Sequence, residues 1–155
     1  MLSFEELKED LLERAKKANS CQDGYKMGLM SKSKSDLLKA ITENWFWVLR
    51  TAKIVDATYL EKNFTKEELS EAGIYTRDRH KVSSASFACG SATVEAYGSA
   101  TVEAYDSATV KAYDNSYVED CTGNIRPQSD YAIVKDYYSH KIYIKRGKFE
   151  IIEVE

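Results

Sequence analysis

No apolar run in this sequence approaches the roughly 18 residues that a membrane-spanning helix needs. The first residues, MLSFEELKEDLLER, alternate charge with apolar side chains where a secretory signal carries a continuous apolar stretch. The expectation is a chain that starts at Met1 and works in the cytoplasm. The three cysteines (Cys21, Cys89, Cys121) are odd in number and never closer than 32 residues. That spacing excludes a CxxC metal or redox motif and gives no disulfide framework. With only His80 and His140, a His-rich metal site is excluded. A glycine-rich phosphate loop, G-x-S-x-G and H-E-x-x-H are all missing. No catalytic residue, cofactor or metal ligand is expected, and the chain reads as a non-enzyme.

Basic charge is scarce where it matters. Residues 1–80 carry 14 basic and 14 acidic side chains, whereas residues 83–122 carry Lys111 alone against Glu95, Glu103, Asp106, Asp114, Glu119 and Asp120. Such a surface repels phosphate backbones, so direct nucleic-acid binding is not expected there.

What is present falls into two parts. Residues 1–80 read as a helical region that caps the rest. Ser3 with Glu6 makes a capping box before the apolar stripe Phe4, Leu7, Leu11, Ala15, predicting a helix over 4–17. Gly24 and Gly28 predict a loop, with at most a short helix, over 19–30. Ser35 is placed to cap a helix running to about Thr51 through Leu37, Leu38, Ile41, Trp45, Val48 and Leu49. Trp45, Phe46 and Trp47 send aromatic bulk in more than one direction, either into the core or toward a partner as a hot spot. Asp56 caps a short helix, Thr65 with Glu68 makes a second capping box, and Gly73 ends that helix.

Residues 81–155 are a repeat with a period of eight. From Ser83 the units read SSASFACG, SATVEAYG, SATVEAYD, SATVKAYD and NSYVEDCT. The frame passes through GNIRPQSD and returns as YAIVKDYY and SHKIYIKR, in phase for its apolar residues. Side chains alternate across a strand, so Ala-Val-Ala at positions two, four and six points in, and Thr-Glu-Tyr at three, five and seven points out. Small inward residues suit a thin interior between two close strands. The expectation is an α+β chain whose repeat forms a two-sided β-solenoid of about four 16-residue coils, with Lys141–Glu155 adding two closing strands. An antiparallel meander, its Ala-Val-Ala face covered by helices, fits the same alternation.

Residues 16 apart then stack. Cys89, Tyr105, Cys121 and Tyr137 share one outward column, with Phe87, Glu103, Glu119 and Lys135 beside it. Tyr97 and Tyr113, with Glu95 over Lys111, take the other face. Cys89 and Cys121 are expected as free thiols facing outward, and His140 as an inward structural residue. Asp120 and Asp136, inward in one column, mark either a departure from the regular coil or a cation site. The candidate partner-binding residues are Tyr97, Tyr105, Tyr113, Glu95, Glu103, Asp106, Asp114, Trp45 and Trp47, because tyrosine gives contact area at low entropic cost and the acids suit a basic partner. One Thr per strand, flanked by Glu and Tyr, makes a poor lattice for ice.

The run SATVEAYGSATVEAYDSATVKAY (91–113), preceded by helices, resembles short octapeptide-repeat β-solenoid proteins associated with gut bacteria and their phages or mobile elements; YAIVKDYYSHKIYI (131–144) fits more loosely. The resemblance implies an accessory protein, with anti-CRISPR-like inhibition of a host defence system among its roles. Two functions fit these residues. One is a protein-binding inhibitor whose partner is a basic nucleic-acid-binding protein such as a host nuclease. The other is a structural module that self-assembles open-endedly through its exposed coil edges, whereas a monomer or a homodimer accords with the inhibitor.

Overall fold

In the computed structural model, which describes residues Met1–Glu155, the chain divides between Ile74 and Tyr75 into a helical unit and a β unit. Helix α1 (Phe4–Lys17) opens on the expected capping box: the Ser3 hydroxyl accepts from the Glu6 amide, and Glu6 accepts from the Ser3 amide at 2.9 Å. Helix α2 (Gln22–Met30) fills nine residues of the segment expected as a loop with at most a short helix. Its glycines serve close packing instead of a turn. A Cβ on Gly24 would lie 3.2 Å from Asn44 Oδ1, and one on Gly28 would lie 3.2 Å from Leu12 Cδ2. Residues four apart share a helix face, so the two bare positions let neighbouring side chains come close on one side.

Helix α3 (Lys34–Glu43) begins from Ser33, two residues before the expected cap, because it is the Ser33 hydroxyl that reaches the Asp36 amide. It stops at Asn44, and the apolar run continues as one π-helical turn, Trp47–Thr51. A π turn holds an extra residue per turn and re-phases the side chains around it. Trp45 ends 1% exposed and Phe46 38% exposed. Asp56 caps α4 (Ala57–Asn63), and the Thr65–Glu68 box starts α5 (Lys66–Glu71). Gly73, at φ 71°, supplies the left-handed residue that ends α5. No helix is long and apolar enough to cross a membrane.

The strands are β1 (Ile74–Tyr75), which straddles the boundary, β2 (Arg79–Val82), β3 (Ser86–Ala88), β4 (Thr93–Ala96), β5 (Thr101–Ala104), β6 (Thr109–Ala112), β7 (Tyr117–Asp120), β8 (Ile133–Asp136) and β9 (Lys141–Tyr143). From β1 to β7 they alternate between two sheets, ordered β2-β4-β6 and β1-β3-β5-β7-β8-β9, and β8 and β9 extend the larger one. From β2 to β8 the registered pairs within each sheet are parallel, with Val94 over Val110 and Val102 over Val118. This is a β-solenoid of about four turns. The meander is excluded, since its neighbours would run antiparallel. Ala92, Val94, Ala96, Ala100, Val102 and Ala104 fill the interior at 1% exposure or less. The unit ends turn through left-handed backbone: Gly90 and Gly98 at φ 60°, Asp106 at 56° and Asp114 at 51°. That geometry restricts this position to Gly or a short polar residue, which is why the repeat alternates between YG and YD.

The coil departs from the frame at three places. Strand stacking begins before Ser83, and β2 pairs with β4 at an offset of 14, shorter than the 16 of β3 on β5. In the 123–130 unit, Ala112 bridges Pro127, an offset of 15. A slip of one residue flips every side chain. Ile125 is therefore buried while Arg126 and Gln128 face out, and Pro127, which has no N–H to donate, ends the β2-β4-β6 sheet. The third is β9, which runs antiparallel to β8 and sets Tyr143 opposite Val134 and Ile142 opposite Lys135. Tyr143 thus packs on the core, and Ile142 is exposed, the reverse of an in-phase unit. His140, expected inward, is exposed in the turn before β9 at φ 56°. The expected second closing strand is absent, since residues 144–155 form no strand.

Ser116 occupies the inward column that Ala100 and Ala132 fill. It is 0% exposed, and its hydroxyl has no hydrogen-bond partner. Removing a buried, unsatisfied hydroxyl recovers its desolvation cost. Ser116→Ala is expected to stabilise the chain by about 1 kcal/mol in chemical denaturation. A loss of stability would mean that the hydroxyl is bonded.

Candidate binding faces of the solenoid

The outer face of the β2-β4-β6 sheet is internally compensated. Glu95 pairs across rungs with Lys81 on one side and Lys111 on the other. It is 8% exposed; Arg79 Nε and Lys111 Nζ each lie 3.9 Å from Glu95 Oε1, and the Tyr97 hydroxyl donates to Glu95 Oε2 at 3.2 Å. The Tyr97 and Tyr113 rings stack at 4.9 Å with a 7° interplanar angle. Opposite charges on neighbouring strands stabilise the sheet modestly. Glu95, expected to meet a partner, is thereby taken up within the chain.

The other sheet differs in the same column. Glu103 lies between Phe87 and Glu119, and only the third rung brings a cation, Lys135. Burial first, and then the Glu119 carboxylate, push the Glu103 carboxyl up to about 7, against a smaller lowering by a hydrogen bond from Tyr105. Glu119 Oε1 accepts from the Tyr117 and Tyr137 hydroxyls, both at 3.2 Å. Tyr105 is 4% exposed, and burial foremost raises its phenol well above the ordinary value. The face is thus two stacked carboxylates bordered by tyrosines. Tyr117, Glu119 and Tyr137 were not among the sequence candidates for binding. Their signal was Tyr117, which takes the outward position that earlier units give to Thr, next to the Glu119 column.

A carboxyl raised in the folded state makes folding less favourable once it ionises. The folded chain binds the Glu103 proton more tightly than the unfolded chain does. Stability from this group is full below about pH 4.5 and declines as pH rises through about 7. Discounted for solvent screening, the decline is on the order of 1 kcal/mol. Asp136 acts in the opposite sense at lower pH. Burial would raise its carboxyl, but hydrogen bonds from Ser139 and Tyr138 with the Arg126 charge outweigh it and hold the group below its usual value. Its contribution is lost as pH falls below the ordinary aspartate range. Denaturation midpoints compared at pH 5 and pH 8 should therefore differ less in Glu103→Gln than in the parent chain. Equal slopes in the two proteins would contradict the raised carboxyl.

The remaining candidates hold the scaffold. Asp114 Oδ2 accepts from the Gly98 amide at 2.8 Å and Asp106 Oδ2 from the Gly90 amide at 3.3 Å, so these carboxylates tie each corner to the coil before it. Asp120 and Asp136 stack in register and are buried, and hydrogen-bond donors from their own turns surround them where a cation would sit. No group of three or more His, Cys, Asp or Glu side chains is arranged to hold a metal ion. All three cysteines are free. The Cys89–Tyr105–Cys121–Tyr137 column forms in register, but Cys89 is fully buried and does not face solvent as expected. In the helical unit Trp45 is a core residue. Trp47 lines a cavity of about 60 Å³ with Leu12, Cys21, Gly24, Tyr25 and Val48.

No protein-family model, curated protein or solved structure matches this chain.

Proposed function

We propose that this chain is a non-catalytic binding protein that inhibits a basic, nucleic-acid-handling protein, docking on it through the Glu103–Glu119 face. One observation carries this reading. The Glu95 column is flanked by lysines on both rungs, while the equivalent Glu103 has an aromatic ring on one side and a carboxylate on the other. A lysine or arginine from a partner would complete the ladder in register. It would also release the proton that Glu103 holds near neutrality. Tyr117 and Tyr137 border the site with the amphipathic contact area that binding surfaces favour. The resemblance of residues 91–113 to octapeptide-repeat proteins of gut bacteria and their phages supports a host-defence target, with a CRISPR nuclease as the first to test. Three free thiols accord with a role in the reducing cytoplasm.

Glu103→Lys separates binding from folding. It places a cation beside Glu119 and should hold or raise stability by a few tenths of a kcal/mol. It also puts a positive charge where the partner's must dock, so affinity should fall roughly tenfold or more. The measurement is inhibition of DNA cleavage by the host nuclease, with co-purification as the second readout. A folded Glu103→Lys protein that inhibits as well as the parent would sink the assignment of this face.

A further inference from the structure

Exposed apolar side chains gather at the C-terminal end of the solenoid. Tyr131, Tyr138, Ile142, Ile151, Ile152 and Val154 are between 53% and 88% exposed. At the same end β9 is the last strand of its sheet, with one edge paired to β8 and the other free. A free edge presents a row of unpaired backbone N–H and C=O groups and adds a further strand readily. The segment after it has the composition to be that strand, being rich in β-branched residues, yet it does not fold back onto β9. Its root is held: Lys148 lies 3.2 Å from Asp130, and the Phe149 ring meets Tyr131 edge-on at 5.9 Å.

Charge indicates what covers this end. Lys141, Lys145 and Arg146 make β9 and its turn basic, while Glu150, Glu153 and Glu155 make the following segment acidic. We propose that two copies of this chain form a closed dimer in which residues 150–154 of each add as a strand to the β9 edge of the other. A two-fold arrangement of this kind is reciprocal. It covers both free edges and sets each acidic segment against the other copy's basic one, so assembly stops at two.

Charge swapping tests the exchange directly. The parent chain at high micromolar concentration should sediment at twice its 17.6 kDa mass. A variant with Lys145→Glu and Arg146→Glu has two acidic segments and should be monomeric. A variant with Glu150→Lys and Glu153→Lys has two basic segments and should also be monomeric. Mixed in equal amounts, the two variants should recover the dimer mass, because each tail then meets an opposite edge. All four positions are exposed, so circular dichroism should show an unchanged fold. A monomeric parent, open-ended assembly, either variant dimeric alone, or a mixture that stays monomeric would each overturn the proposal.

Discussion

Asp120→Ala should lower the stability of this chain by about 3 kcal/mol, among the larger losses available to a single substitution in the solenoid. The side chain is 0% exposed. Its Oδ1 accepts from the Thr122 amide and hydroxyl, both at 2.7 Å, and from the Gly123 amide at 3.1 Å, while Oδ2 accepts from the Ile125 amide at 3.0 Å. Alanine strands those donors, and the Ile125 amide is in a residue only 3% exposed, where water cannot readily replace the carboxylate. This turn also carries the chain into the segment where Ala112 bridges Pro127, so its loss should loosen the rung between β7 and β8. Asp120→Asn keeps one acceptor but turns an amide toward another donor, and should recover only part of the loss. Urea denaturation gives the ranking, and hydrogen exchange at Thr122, Gly123 and Ile125 locates it. A change under about 0.5 kcal/mol in the alanine variant would mean that the carboxylate is not organising the turn.

How far the sequence disclosed this molecule depended on whether a feature was periodic. Ala100-Val102-Ala104 against Thr101-Glu103-Tyr105 revealed the strand, its two faces and the stacking offset, because a two-residue alternation inside an eight-residue repeat leaves few arrangements. Ser3–Glu6 and Thr65–Glu68 marked helix starts correctly, since a capping box is a local hydrogen-bond device. Gly24 and Gly28 left the segment open between a loop and a short helix, because glycine signals both turns and close helix packing, and only the positions of Leu12 and Asn44 decide between them. Ile142 was misplaced for a related reason. Parity carries through a parallel coil, but reversing the strand at His140 reset it, and no residue type announces that reversal.

The candidate site was half legible. The column arithmetic placed Glu103 over Glu119 and Glu95 over Lys111, and both pairs form. It did not show that Arg79 also reaches Glu95, because Arg79 precedes the recognisable repeat. Nor did it show that Asp106 and Asp114 act on the coil behind them. Their left-handed backbone aims each carboxylate at the preceding turn, a direction that outward and inward labels do not contain. The difference between the two faces is therefore a tertiary property. Nearly identical units acquire different neighbours, and one glutamate is neutralised while its twin is left near its protonation point.

Val102→Phe should cost about 1–3 kcal/mol, and its neighbour Thr101→Phe less than about 0.5 kcal/mol, although the two positions are adjacent in one strand. Val102 is 1% exposed, stacked between Ser86 and Val118 within its sheet, and enclosed by a core made almost wholly of alanine and valine. A thin interior filled by such residues leaves no space for a phenyl ring, and close-packed cores respond to added volume by shifting backbone. In a solenoid that shift is shared: a rung pushed outward at β5 must also displace β3 and β7, its parallel neighbours. Thr101 points the other way and is exposed, where an aromatic ring is tolerated on a strand surface. The paired measurement tests parity, since instability, aggregation or expression would affect both variants alike. Equal losses in thermal or urea unfolding would show that the strand does not present the two faces this coil requires.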